Sequence, residues 1–465
     1  MKLEKANYDM EPDFGPLVRQ VSALCAHTVS GRITRVAGGL LHVNGLNRIG
    51  AIGDRVTIGP KSNRPLSAEI LRLETNEAVL LAEGDIDGVT IGTPVQFVGQ
   101  SLVYPSPQWI GKVIDAHGCD PEGTPMPKGE KGYPLRAKPA SPMSRRSLGE
   151  RLETSLRGID TFLPMVRGQR LGLFAGSGVG KSTFLAGLAR NVASDLTVIA
   201  LIGERGREVR DFVENVLGPR GMKRAIVVAA TSDQHALTKR RAAHLAMTIA
   251  EYFRDVGAQV TFLCDSITRF ADAHRDIARC AGESATDIGY PPSTSQMVMD
   301  LCERAGPGSE RQGDISALFS VLVAGSDMDE PIADLMRGIL DGHVVLDREI
   351  AERGRFPAIN VLQSVSRSLP KAATEPENDL IKEARSLLKQ YEDAKLMVQS
   401  GLYRPGTDAD LDRALSRYKP LDEFIGEIGG GGIEASFQKL SHILDGGSIS
   451  LRSELLGSRE EGSAG

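Results

Sequence analysis

The sequence predicts an α/β domain built on a mostly parallel sheet, preceded by a small closed β-barrel and followed by a helical segment. Three observations predict it. Between about 152 and 370, buried-type apolar runs alternate with helical stretches such as 235–256. Between 27 and 98, six short strands are separated by Gly, Asn or Asp turns. From Asn378 to Ser400, Leu380, Ala384, Leu387, Leu388 and Tyr391 recur at helical spacing.

Composition bounds the answer. A chain of 465 residues with 41% hydrophobic residues can build ordinary cores, and at roughly 150 residues per domain it holds about three domains. The net charge of −5 argues against a nucleic-acid binder. The basic clusters Arg145–Arg146 and Lys239–Arg241 read as solvated faces. Cys25, Cys119, Cys264, Cys280 and Cys302 form no CxxC pair, which fits a reducing, cytosolic compartment. The opening MKLEKANYDMEPDF lacks the apolar core of a signal peptide. No apolar run approaches the ~20 residues that span a bilayer.

Taken in order, residues 1–26 carry Phe14, Leu17, Val21 and Leu24 at three- and four-residue steps. That is a short amphipathic helix, which either packs on its own domain or docks a partner. The strands of 27–98 are GRITRVAGG, LLHVNG, DRVTIGP, LSAEILRLET, EAVLLAEGD and TPVQFVG. In the fourth, Leu66, Ala68 and Ile70 alternate with polar residues, then the pattern slips by one at Leu71 and Leu73. A β-bulge produces such a slip, and so does a strand buried on both faces. Residues 118–142, rich in Gly, Pro and Lys, read as a long surface loop or linker. Beyond them the expected strands are RLGLFA, LTVIALI, AIVVAAT, QVTFLCD and ALFSVLVAG. The tail GSREEGSAG has a composition that cannot build a core.

The chemistry starts at Ala175–Ser182, AGSGVGKS, between a strand and a helix. It fits the phosphate-binding loop except that Ala175 replaces the first Gly. A negative φ at residue 175 would make that departure mild. Gly176, Gly178 and Gly180 can supply unusual dihedrals, so that the backbone N–H groups of Gly176, Ser177, Gly178, Val179, Gly180 and Thr183 form an anion nest. The following helix turns its positive end to the same point. Lys181 adds a full charge at the β- and γ-phosphates, and the Ser182 hydroxyl is placed to ligate Mg2+. Asp265 ends the run VTFLCD at the carboxyl edge of a strand, where ligands of open α/β sheets sit, and supplies a second metal oxygen. Glu204, at the end of LTVIALIGE, can orient and polarise an attacking water.

Together GSGVGKST, GERGREV, LCDSITRFADAHRDI, GSDMDEPIAD and FPAINVLQSVSR resemble the ATPases of flagellar and type III protein export, relatives of the F-type ATP synthase subunits. The resemblance covers roughly residues 27–450, and FAGSGVGKS looks more like the flagellar branch than the virulence branch. It implies a RecA-like P-loop ATPase core with an N-terminal β-barrel and a C-terminal helical domain. The boundaries are then 1–26 for an extension, 27–98 for the barrel, 99–372 for the ATPase domain, 373–455 for the helical domain and 456–465 for the tail.

By that resemblance Lys181, Ser182 and Asp265 hold Mg-ATP and Glu204 activates water. Arg205 and Arg269 stand near the γ-phosphate. Arg367 in SVSR resembles an arginine finger given by a neighbouring chain, and Phe356 matches the aromatic that stacks on adenine. Read alone, Arg367 is an ordinary solvated arginine and Phe356 an ordinary core aromatic. The resemblance also implies a ring of six identical chains, a stator-like regulator on the N-terminal segment, a central stalk protein, and export chaperones with their cargo. It places the chain in the cytoplasm, peripheral to an export gate at the inner membrane, with no nucleic acid. Three rivals remain at this point: a ring-shaped nucleic-acid motor like the transcription-termination helicase, a rotary synthase subunit, and a scaffold that only binds nucleotide. A nucleic-acid motor would need stacking aromatics on its barrel, and residues 27–98 offer Phe97 alone.

Overall fold

The computed structural model describes residues 29–59, 65–286, 289–323 and 328–446. The expected N-terminal helix, Cys25, residues 325–327 of GSDMDEPIAD and the tail 456–465 lie outside the described residues. The chain forms two compact units, one ending at Ser101 and the other starting at Leu102.

In the first unit, β1 (Ser30–Ala37), β2 (Leu40–Asn44), β3 (Arg55–Ile58), β4 (Leu66–Leu73), β5 (Ala78–Ala82) and β6 (Pro94–Gly99) close into an antiparallel barrel of order β1-β2-β5-β4-β3-β6. Closure leaves no unpaired edge. Ile33, Val43, Val56, Ala68, Ile70, Leu80 and Val95 point inward and fill it. The slip in β4 is a bulge: pairing with β5 shifts between Ile70 and Arg72, and Leu71 is the extra residue.

The second unit begins with β7 (Leu102–Val103), β8 (Val113–Ile114) and β9 (Tyr133–Pro134). The sheet strands follow: β10 (Arg170–Ala175), β11 (Leu196–Glu204), β12 (Ala225–Thr231), β13 (Val260–Asp265), β14 (Gly306–Pro307), β15 (Asp314–Leu322), β16 (Gly342–Leu346) and β17 (Val365–Ser366). The order is β17-β16-β10-β15-β13-β11-β12-β8, with β14 against β15. All neighbours on this path are parallel except β17, which runs antiparallel to β16.

Helices cover both faces. They include α1 (Arg157–Phe162), α2 (Lys181–Asn191), α3 (Ala236–Asp255), α4 (Ile267–Cys280), α5 (Pro292–Arg304), α6 (Pro331–Ile339) and α7 (Arg348–Glu352), with shorter helical turns over 206–222. Three more follow: α8 (Glu375–Gln399), α9 (Ala409–Gly426) and α10 (Gly432–Asp445). Burial on both faces explains why the strands read as near-continuous apolar runs. Val198, Ala200, Phe262 and Phe319 face one core, and Ile199, Leu201, Leu173 and Leu263 face the other. The second core continues into the C-terminal helices through Phe162, Ile381, Leu387, Phe424 and Phe437. A capping box of Thr374 and Glu377 starts α8.

Two sequence expectations are corrected here. The strand expected at ALFSVLVAG runs over Asp314–Leu322 instead. It can start on a buried carboxylate because Arg146 Nη2 donates to Asp314 Oδ1 at 2.7 Å and the Gly308 N–H at 3.1 Å. The basic clusters are not solvated faces. Arg145 Nη1 donates to the Ala305 carbonyl at 2.6 Å, and Arg240 is buried. The loop 118–142 is mostly exposed but tied down, with Trp109 Nε1 donating to the Pro127 carbonyl at 2.7 Å and Leu135 in the core.

Candidate active site

Three strands end at one edge of the sheet and deliver the candidate residues there. Strand β10 lies between β15 and β16 and stops at Ala175. Ala175 is still in the ladder, opposite Leu322 and Leu346. Its backbone is extended, so the first position of the loop needs no glycine. Gly178 (φ +79°) and Gly180 (φ +88°) adopt the left-handed conformation that glycine permits, whereas Gly176 does not. Ser177 is exposed, while Val179 turns its side chain into the core, leaving only its backbone for an anion. Helix α2 begins at Lys181, with Ser182 and Thr183 exposed on its first turn. The unpaired N–H groups and positive end of α2 therefore face the loop.

Lys181 joins the other two strands. Its Nζ donates to Glu204 Oε1 at 3.1 Å and forms an ion pair with Asp265 Oδ1. Asp265 ends β13 and is 2% exposed. Ser320 on β15 donates its hydroxyl to the same carboxylate oxygen at 2.7 Å. Burial pushes the Asp265 carboxyl up, against the pull of Lys181, and Glu204 adds to the push. Burial alone would lower Lys181, but Asp265 and Glu204 outweigh it and hold the ammonium above the ordinary lysine range. Two carboxyl groups thus face one ammonium, and the site is short of positive charge. Asp265 and Ser182 offer hard oxygen donors, the chemistry that suits Mg2+.

Glu204 is aimed by a defect in β11. The pairing with β12 shifts between Ile202 and Glu204, and Gly203 has φ +74°. A Cβ at Gly203 would sit 3.0 Å from Arg269 Cγ, so the glycine also lets Arg269 pack beside the strand end. The guanidinium of Arg269 pairs with Asp272 at 3.5 Å. Arg205 points away, 73% exposed, and pairs with Glu208 at 3.3 Å. Phe356 is 51% exposed, and a Cβ at Gly180 would lie 3.1 Å from its Cδ1. Its ring therefore lies against the loop and is open to solvent, contrary to the core reading.

Arg367 is the candidate that does not join the group. It follows β17, whose Ser366 pairs with Gly342 at the start of β16. The Arg367 N–H donates to the Asp341 carbonyl at 3.0 Å, and the Asp341 N–H to the carbonyl of Arg170 at 2.8 Å. Arg170 opens β10 and Ala175 closes it. At ~3.3 Å per residue the two ends lie about 17 Å apart. Arg367 is exposed at the opposite edge, its Nη2 donating to the Arg337 carbonyl at 3.1 Å. Sequence reasoning missed Gly203 and Ser320. A serine inside the apolar run ALFSVLV was the available signal for the second.

Family comparisons agree with this layout. The β-barrel domain of the ATP synthase alpha/beta family matches residues 33–99, its nucleotide-binding domain residues 155–366, and the T3SS EscN ATPase C-terminal domain residues 373–427. The flagellum-specific ATP synthase of Caulobacter vibrioides is 44% identical over 88% of this chain and 94% of its own. The chain belongs to the family of flagellar and type III secretion ATPases. A type 3 secretion system ATPase of Xanthomonas euvesicatoria is 37% identical over 88% of this chain and 92% of its own. The assembled ATPase EscN of enteropathogenic E. coli, in complex with its central stalk EscO, superposes with a TM-score of 0.80. It is 33% identical and covers 89% of this chain and all of that one.

The chain is accordingly an ATP-binding ATPase. In such an enzyme Lys181→Ala removes the ammonium that bridges Glu204 and Asp265. Turnover should fall at least ~100-fold, and ATP affinity about tenfold or more. Isothermal titration and phosphate release measure the two. Unchanged ATP affinity would contradict a phosphate role for Lys181.

Proposed function

We propose that this chain is the Mg-dependent ATPase that energises flagellar type III protein export, working as a homo-hexameric ring. The observation that carries the reading is the separation of Arg367 from the cluster of Lys181, Glu204 and Asp265. A site that stands apart from its own Arg367 can be completed by the Arg367 of a second copy. Both halves are on one chain, so every boundary of a ring can be active without a second subunit type. That separates this chain from a rotary synthase subunit.

The roles in this reading are as follows. The backbone of Gly176–Gly180 and the start of α2 bind the phosphates. Lys181 neutralises the γ-phosphate. Ser182 and Asp265 would hold Mg2+, which when bound draws charge from the β- and γ-oxygens. Glu204 orients the attacking water and takes its proton. Phe356 covers the adenine face, Arg269 supports the strand end beside Glu204, and Arg205 lies near enough in sequence to swing in when a neighbour closes. Arg367 enters the neighbour's site as charge develops.

Assembly and a central stalk partner are carried over from the EscN–EscO complex. A regulator on the N-terminal segment, chaperones with cargo, and the inner-membrane export gate complete the proposal, with the chain cytoplasmic and peripheral to the gate. Among the described residues no helix is long and apolar enough to cross a membrane. The nucleic-acid motor fits less well, because Phe97 packs against the barrel core rather than standing free to stack on bases.

The flagellar branch is our reading of the run FAGSGVGKS; identity alone does not separate the branches, since flagellar relatives span 35–44% and the Xanthomonas secretion ATPase stands at 37%. Deleting the gene should abolish swimming and leave secretion of effector proteins intact. Lost effector secretion with normal motility would move the chain to the virulence branch.

A further inference from the structure

We infer that Asp422, on the C-terminal helix α9, is a positioning residue for adenine recognition, acting through Arg355. The inference rests on the reading of Phe356 as the adenine-facing ring. Phe356 sits on a loop between α7 and the rest of the sheet edge, and that loop has little regular structure of its own. Arg355 supplies what secondary structure does not. Its Nη1 donates to the Pro357 carbonyl at 2.7 Å and its Nη2 to the Ile359 carbonyl at 2.9 Å. Its Nε reaches Asp422 Oδ1 at 3.3 Å. One guanidinium thus clamps two carbonyls of the turn just after Phe356 and ties both to a helix more than sixty residues away in sequence.

The side chains of Arg355 and Asp422 are 11% and 23% exposed, so the pair is shielded from bulk water. A charge-assisted bond there is stronger and more directional than a surface ion pair. Contact at the end of α9 is equally close. A Cβ at Gly426 would lie 2.9 Å from Arg355 Cδ and 3.2 Å from the Phe356 carbonyl oxygen. A second tie holds α7 to the same helices. Arg353 Nη1 donates to the Tyr418 hydroxyl at 2.6 Å, and the Tyr418 ring stacks on Tyr391 with centroids 3.5 Å apart. Phe356 therefore moves with α9 rather than with the phosphate loop it touches. Adenine affinity becomes a readout of where the C-terminal helices stand, while the phosphate contacts do not.

That difference is the test. In the full chain, Asp422→Asn should weaken ATP binding about tenfold, the scale of one lost charge-assisted bond. Inorganic tripolyphosphate, which has no base, should bind within about twofold of the parent, and kcat at saturating ATP should hold within about twofold. Asp422→Glu should recover most of the loss. Arg355→Lys, which keeps the charge but not the fork, should reproduce the adenine-specific defect should the first variant fold poorly. Equal weakening of ATP and tripolyphosphate, or no weakening of either, overturns the inference. Phe356→Ala separates it from the reading beneath it. If that variant binds ATP normally, the adenine role of Phe356 is wrong. If it loses ATP affinity while Asp422→Asn and Arg355→Lys do not, only the positioning role fails.

Discussion

Glu204→Gln is expected to abolish turnover while leaving ATP binding in place. Glutamine matches the size of glutamate and still offers a carbonyl oxygen to Lys181, now 3.1 Å from Glu204 Oε1. The Gly203 kink that aims residue 204 is untouched. What disappears is the negative charge that orients water and accepts its proton. A positioned general base contributes roughly 10²–10⁴-fold, so phosphate release should fall to a thousandth or so of the parent rate, on the order of 10³-fold. Lys181 keeps its ion pair with Asp265 and loses one competing carboxylate, so the phosphates meet an ammonium at least as available as before. Titration calorimetry should give an ATP affinity equal to or tighter than the parent. A variant that still hydrolyses ATP within about tenfold of the parent would remove Glu204 from the chemistry and revive a scaffold that only binds nucleotide.

Most of this site was readable because its parts are local. The phosphate loop is a contiguous run with a strand before it and a helix after it. Asp265 and Glu204 each end an apolar run, and a parallel sheet gathers strand ends at one edge. The barrel was readable for a similar reason, since short alternating strands between turns mark it, while the slip in β4 allowed two readings until the pairing with β5 showed the bulge. What the sequence did not disclose depends on register between distant segments. Ser320 bonds to Asp265 only because Cys264 pairs with Phe319, which sets the next residues side by side. Arg355 finds Asp422 across sixty-seven positions. The early start of β15 depends on Arg146 neutralising Asp314, and no pattern within the strand shows it. Arg367 reads as a solvated arginine and is exposed in the structure. Its distance from the phosphate loop depends on the antiparallel return of β17 beside β16, which no local pattern shows.

Blending two inactive variants should therefore restore hydrolysis. In the proposed ring each working seam takes Glu204 from one chain and Arg367 from the next. Arg367→Ala loses an exposed side chain that donates to the Arg337 carbonyl, and the backbone bond to Asp341 survives. The variant should fold and bind ATP, yet lose roughly 10³–10⁵-fold in turnover, as an absent arginine finger does. Glu204→Gln fails from the other side of the seam. Mixed in equal amounts and allowed to exchange, the two place an intact Glu204 against an intact Arg367 at about a quarter of the seams of a cyclic assembly. Recovery of that order, against near-zero rates for either variant alone, is the expected result. The same division should make activity per chain rise steeply with concentration, because a lone chain keeps Arg367 beside the start of β10, at the other end of the strand from its own phosphate loop. Specific activity that stays flat over a roughly hundredfold dilution through the assembly range would deny the shared site. So would blends that remain inactive while both variants assemble normally and exchange partners, since the guanidinium would then be acting somewhere other than across the seam.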